Sequence, residues 1–300
     1  MESLLLGLLM LIPSGIQEAV AAPSTDEPLR LMSFNIRYGS AADGMNGWLH
    51  RDHLVLETIQ RFDPDVLGVQ EALAFQVEAL HKAFAHYTVI GEGRRGGKEG
   101  EYSALFVRKD RFELVQRGQF WLSEDPDQVG SQSWDAALPR ICTWAQLRDR
   151  RGKERVFTVM NTHFDHRGKT ARHRSAELIG ARMPPTPMPC VVMGDLNAGE
   201  SSPPLEALRA AGLVDTYRVL HPERQPSGTF HGFRGGQPGN KIDYVMMRGP
   251  WTVEKATIDL HHEKERYPSD HYPVRAVLRW PASRDDGARE ESDDGGGRRH

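Results

Sequence analysis

The chain has 300 residues, a formal net charge of -3 and an isoelectric point near 6.5. That length holds one large domain with a sizeable core, or two ordinary ones, and no linker or internal repeat divides it. The slightly acidic balance speaks against binding long nucleic acid through bulk electrostatics, which needs a basic domain, although it leaves room for a local basic patch. With two cysteines there is no disulfide framework. Cys142 and Cys190 both lie in apolar strand-like runs and are expected as buried free thiols.

The chain opens on an apolar run over residues 4–12, too short to span a bilayer core of about 30 Å. Ala19-Val20-Ala21 then offers a small-x-small cleavage site. Residues 1–21 are therefore expected to be a signal peptide, although Met1-Glu2-Ser3 lacks the usual positive charge. The expectation is export to the periplasm or the medium, with no stable membrane anchor. Helical spacing of apolar residues follows over 50–62 and 75–84, and strand-like runs over 103–107, 112–120 and 141–147. A helix is expected from about 170 to 183, stopped by Pro184-Pro185, and another over 205–211 before Gly212. Strands near Ile242, Trp251 and Tyr272 close a domain expected over 28–281. The tail, 282–300, is rich in Asp, Glu, Arg and Gly and is expected to be disordered. Gly91-Glu92-Gly93-Arg94-Arg95-Gly96 satisfies a dinucleotide glycine pattern, but no helix follows to receive a pyrophosphate. It is expected to be a mobile loop whose Arg94, Arg95 and Lys98 form a solvated charge run.

The functional signal lies where apolar runs end. Residues 29–34 finish in Asn35-Ile36-Arg37, and residues 65–70 deliver Glu71. Residues 155–162 alternate as a strand should and then present His163, Asp165 and His166. Cys190-Val191-Val192-Met193 leads into Gly194-Asp195-Leu196-Asn197, Asp243 sits inside an apolar run, and Ser269-Asp270-His271 opens the last one. Polar side chains buried at strand ends cost free energy unless they are partnered. One such acid would be a turn or edge residue; six clusters point to a shared polar site at one rim of a sheet.

These motifs, in this order, resemble the endonuclease/exonuclease/phosphatase superfamily over roughly residues 28–280. The resemblance implies an α+β fold of four layers, α/β/β/α, with two packed mixed β-sheets flanked by helices. It also implies hydrolysis of phosphoester bonds with a divalent metal at the sheet rim. Glu71 would be the principal metal ligand, with Asn35 beside it and Asp270 as a further contributor. Such oxygen donors favour Mg²⁺ or Mn²⁺ over Zn²⁺, and the motifs do not set the number of metals. His271 would be a general base or a phosphate-contacting cation, with Asp243 orienting it. Asp195 would orient or deprotonate the water, Asn197 would hold a phosphoryl oxygen, and His163 would donate to the same phosphate.

Asn161-Thr162-His163 resembles the phosphatase, deadenylase and sphingomyelinase branches more than the abasic-site endonucleases. Phe164-Asp165-His166-Arg167-Gly168 resembles a bacterial and fungal subgroup. Arg37, Arg140 and Arg167 are candidate phosphate contacts, since a planar guanidinium matches phosphate oxygens, and each has a surface salt bridge as its alternative. Asp165 joins them as a substrate-binding candidate, and Trp121, Trp134 and Trp144 are expected in the core or the cleft wall. The leading expectation is a monomeric phosphoesterase acting on a small phosphorylated or phosphodiester substrate. A nuclease is the alternative, and a non-catalytic binding module the third reading. A basic stripe beside the site would favour the nuclease; a closed pocket with isolated arginines would favour the small substrate.

Overall fold

A computed structural model describes residues 27–151 and 155–281. The expected signal peptide and the expected tail lie outside the described residues. The apolar runs become two six-stranded sheets. The first is built from β1 (Leu29–Asn35), β2 (Val66–Gln70), β3 (Tyr87–Ile90), β4 (Leu105–Arg108), β11 (Thr252–Ile258) and β12 (Val274–Arg279). Its order is β11-β12-β1-β2-β4-β3. The second contains β5 (Phe112–Trp121), β6 (Ile141–Asp149), β7 (Arg155–His163), β8 (Cys190–Asp195), β9 (Val214–Asp215) and β10 (Asp243–Arg248), in the order β5-β6-β7-β8-β10-β9. Each sheet has a central parallel pair, β1/β2 or β7/β8, flanked by antiparallel neighbours.

Three apolar layers hold the sheets and helices together. Leu29, Leu31, Val159, Val191 and Val274 lie fully buried between the sheets. Outside the first sheet pack α1 (Trp48–Phe62) and α2 (Ala74–Ala83), with Val55, Ile59 and Leu80 facing inward. Outside the second pack α3 (Lys169–Arg182) and α4 (Pro203–Ala210), through Ala176, Ile179, Leu205 and Leu208. Each large aliphatic side chain so buried contributes about 1.5–3 kcal/mol. The result is the expected α/β/β/α sandwich. As expected, α3 stops before Pro184: its last residue is Arg182, and Met183, which precedes the proline, is extended. The periodicity did not show β9 and α5 (Thr216–Leu220), which are two and five residues long. Cys142 and Cys190 are buried free thiols, and burial pushes Cys190 up to about 12, which leaves it unreactive.

The topology sends chemistry to one rim. In a parallel pair both strands end at the same edge, so β1, β2, β7 and β8 all deliver their last residues there. Antiparallel β10 and β12 begin at that edge. In register, His163 lies opposite Asp195, and Asp195 opposite Asp243. At the other rim, Arg111 is held at 2.6 Å by Asp65 and 2.9 Å by Asp149, with further bonds to the carbonyls of Glu27 and Pro28. That cluster is satisfied within itself, which marks it as structural.

Candidate active site

Asp195 is the centre of the rim cluster. Its Oδ2 accepts from the Asn35 amide at 3.0 Å and lies 3.5 Å from His163 Nε2 and 3.8 Å from His271 Nε2. Its Oδ1 accepts from the Asn197 backbone N–H at 2.9 Å. His271 places Nδ1 2.9 Å from Asp243 Oδ2. Asp243 opens β10 of the second sheet and His271 lies just before β12 of the first, so their pairing joins the sandwich across its rim rather than along one sheet. Thr229 fixes the approach of β10, its Oγ1 accepting from the N–H groups of Ile242 and Asp243 at 3.0 and 3.1 Å.

Asn35 shares its amide group between Asp195 and Glu71, donating to Glu71 Oε1 at 3.0 Å. Its oxygen accepts from the Arg37 N–H at 3.0 Å, so Asn35 presents nitrogen to the two carboxylates. Glu71 Oε2 accepts from the Tyr38 N–H at 2.9 Å. Arg37, Glu71 and Asn197 all adopt left-handed backbone, with φ of 61°, 61° and 46°. Such strain costs on the order of 1 kcal/mol or more per non-glycine residue and gathers at functional sites.

The motif glycine has a steric cause. Gly194 has φ of 147°, and a Cβ there would stand 1.9 Å from the Thr162 carbonyl oxygen. Beneath the site, Asn161 bridges the sheets, donating to the carbonyls of Val69 and Ala104 and accepting from Gln70 at 2.6 Å. The first and second sheets are thereby locked in register directly under Asp195 and Glu71.

Electrostatics follow from burial and crowding. Burial, reinforced by the Asp243 charge, lifts Asp195 to about 7. Burial also lifts Asp270; His271 opposes this and Glu71 adds to it. Burial alone would lower His271, but the Asp243 and Asp195 charges outweigh it and hold the imidazole well above its ordinary value. Burial, with the Arg140 and His271 charges, pushes His163 well below it. His163 is therefore neutral, and its Nε2 lies 3.0 Å from the Asn197 amide nitrogen. In this arrangement His163 orients the Asn197 carboxamide.

These groups open into a cleft of about 480 Å³. Glu71, Asp195 and His163 place ligand atoms within 4.8 Å of one another, as do Asp195, Asp243 and His271. Asp243 Oδ1 and His163 Nδ1 are buried without a hydrogen-bond partner among the described residues. Crowded, under-compensated carboxylates with open lone pairs fit a hard divalent cation.

The endonuclease/exonuclease/phosphatase family model matches residues 32–271. The chain belongs to this family. Its members are hydrolases acting on phosphoester bonds. Among solved structures, a family member from Bacteroides vulgatus is 34% identical with a TM-score of 0.78, covering 85% of this chain and 99% of that one. A mannosyl-6-phosphatase from Bacteroides thetaiotaomicron is 32% identical with a TM-score of 0.76, covering 83% and 99%. Human Nocturnin is 25% identical over 294 residues, or 84% of this chain and 64% of Nocturnin. The chain thus spans just under two thirds of that relative's length.

Not every candidate of this family member reaches the cleft. Arg140 lines it, with Nη2 on His166 Nδ1 at 3.0 Å and Nε 3.5 Å from Asp165 Oδ2. Asp165 is buried and accepts from the N–H groups of Arg167 and Gly168 at 2.9 and 2.7 Å. It shapes the loop and positions Arg140. Arg167 is exposed and is not among the residues that line the cleft. Arg37 lines it, but two bonds of 2.9 Å tie its guanidinium to Asp43, and Asp270 lies 3.5 Å away. Trp121 is buried, its Nε1 donating to the Arg94 carbonyl.

The glycine-rich loop corrects one expectation. No helix follows it, as expected, but turns tie it together, with Gly93 N–H on Gly97 O at 2.8 Å and Arg94 N–H on Glu101 O at 2.9 Å. Arg94 is buried rather than solvated, whereas Lys98 is exposed as expected. Arg51 also went unnoticed. It is buried on the inner face of α1 and donates to the carbonyls of Ile36 and Pro268, both at 2.8 Å. It thus pins the loop carrying Arg37 to the one carrying Asp270. The available signal was its place on the apolar stripe with Leu54, Val55 and Ile59.

Proposed function

We propose that this chain is a Mg²⁺- or Mn²⁺-dependent phosphomonoesterase of small phosphate esters. The observation that carries the reading is that both arginines lining the cleft are already tied to carboxylates, Arg37 to Asp43 and Arg140 to Asp165. The cleft therefore offers isolated, positioned cations rather than a free cationic track for a polyanion. The activity named for the Bacteroides thetaiotaomicron relative supports a monoester.

Glu71 and Asp270 would hold the cation. Bound there, it would neutralise charge on the phosphoryl oxygens and ease departure of the leaving oxygen. The chain's own groups do the rest. Asp195 takes a proton from the water as the new P–O bond forms and the bond to the alcohol breaks. Asp243 fixes the proton on His271 Nδ1, leaving Nε2 to contact a phosphoryl oxygen. The Asn197 amide, whose N–H groups go to His163 Nε2 and the Phe164 carbonyl, exchanges one of these bonds for the same phosphate. Asn35 keeps Glu71 and Asp195 aligned.

With Mg²⁺ present, p-nitrophenyl phosphate and small alkyl monoesters are expected to give higher kcat/KM than bis-p-nitrophenyl phosphate, RNA or DNA. A preference for the diester or for a polynucleotide would overturn the reading. The nuclease alternative has one observation in its favour. A groove of about 750 Å³ between α3 and α4 opens at Asn197 and carries Lys169, Arg172, His173 and Arg174. If a polynucleotide runs there, cleavage will fall steeply with salt.

We also propose export, on the apolar run and the Ala19-Val20-Ala21 site. N-terminal sequencing of protein from the native host should read a start at or near Ala22; an intact Met1 in the cytoplasmic fraction would refute it.

A further inference from the structure

Glu101 is a cleft residue that the hydrolytic scheme does not use. It lines the same cleft as Glu71, Asp195 and His271, yet it comes from the loop after β3 and not from a motif strand end. Arg94 donates to both of its carboxylate oxygens, each at 2.9 Å. The paired side chains are only 10% and 14% exposed. Trp121 Nε1 bonds the Arg94 carbonyl at 2.7 Å, fastening this loop to β5 of the second sheet. The carboxylate is thus held in one orientation before any ligand arrives, and little side-chain entropy is left to lose on binding.

Its chemistry narrows the ligand. Each carboxylate oxygen has two lone pairs, and Arg94 uses one on each, so accepting capacity remains toward the cleft. An ionised carboxylate only accepts, so its ligand must donate. Arg94, bound to both oxygens, and Arg140 together outweigh the Glu71 charge at this carboxylate and so disfavour an ammonium group. They also offset the carboxylate's repulsion of a phosphate-bearing molecule, which a bare acid beside Glu71 would not. A neutral hydroxyl satisfies both conditions. In the same cleft, Tyr38 and Phe230 offer partly exposed rings, suited to the carbon face of a polyol.

We propose that Glu101, held by Arg94, is the hydroxyl-reading group of the cleft, and that the leaving alcohol is polyhydroxylated, as in a sugar phosphate. The inference rests on the phosphomonoesterase reading for which group departs, but its binding test does not need turnover. Calorimetry on the full chain with Mg²⁺ compares a hexose 6-phosphonate with benzylphosphonate, which has no hydroxyls. The wild type should prefer the hexose ligand, and Glu101→Ala should lower the affinity ratio roughly 10- to 100-fold, the range for a hydrogen bond to a charged group. In turnover, the selectivity for hexose 6-phosphate over p-nitrophenyl phosphate should fall by a similar factor, mainly through KM. If Glu101→Ala melts early, Glu101→Gln, which keeps the shape but removes one acceptor, decides the case.

An equal loss for both ligands would make Glu101 merely structural and overturn the proposal. So would an unchanged ratio, or a wild type with no preference. Failure of the phosphomonoesterase reading looks different: neither ester is hydrolysed, while the Glu101-dependent binding preference persists.

Discussion

Replacing Glu71 with alanine is expected to lower turnover by on the order of 10³-fold or more and to weaken Mg²⁺ binding by calorimetry. A bound cation contributes several kcal/mol of charge stabilisation to a phosphoryl transition state, and each 1.36 kcal/mol is a decade in rate. Glu71 stands immediately after β2, strained at φ 61°, with one oxygen on Asn35 and the other on the Tyr38 backbone. Nothing in the packing of the first sheet requires a carboxylate there. Glu71→Gln keeps the shape and an acceptor, so its thermal unfolding should stay near wild type while its activity falls with the alanine variant. Full activity in EDTA, or an unchanged affinity for Mg²⁺ in either variant, would remove Glu71 from the metal site.

Much of this architecture was legible because catalysis forces exceptions on the hydrophobic pattern. Asn35, Glu71, His163, Asp195, Asp243 and His271 interrupt or terminate apolar runs where packing would not place them, and all six meet at one rim. The helices α1 to α4 were legible because each buries one face over at least two turns. What stayed hidden depends on partners distant in sequence or on elements too short for a period. Arg167 read as a phosphate contact and Asp165 as a substrate-binding residue, because residue type alone does not reveal that Asp165 turns inward onto the N–H groups of its own loop. Arg94 read as one of a solvated charge run. Its burial depends on Glu101, seven residues on, which meets it only once the glycine-rich loop has folded back. In the same way β9 and α5 offer no period, yet Asp215 between them holds the buried Lys241 at 2.7 Å.

The Asp243–His271 pair should behave as one unit. Their 2.9 Å contact joins Nδ1 to a carboxylate that can only accept while ionised, so the proton on His271 Nδ1 is fixed and Nε2 is directed toward Asp195. An amide at position 243 removes the carboxylate charge that holds the imidazole protonated, so the ring facing the phosphate loses its positive charge. Losing one preorganised positive contact to a transition-state oxygen costs on the order of 10²- to 10³-fold in kcat, and Asp243→Asn is expected to fall in that range. His271→Ala should lose at least as much. Residues that act together lose rate non-additively, so the double variant should be scarcely slower than His271→Ala alone. Asp243 also lies at the head of β10, where Thr229 already satisfies its backbone N–H, so the asparagine variant should keep the wild-type melting temperature to within a few degrees. Losses that multiply in the double variant would show that the two groups work independently. A melting temperature that falls in step with activity would show instead that Asp243 serves the fold.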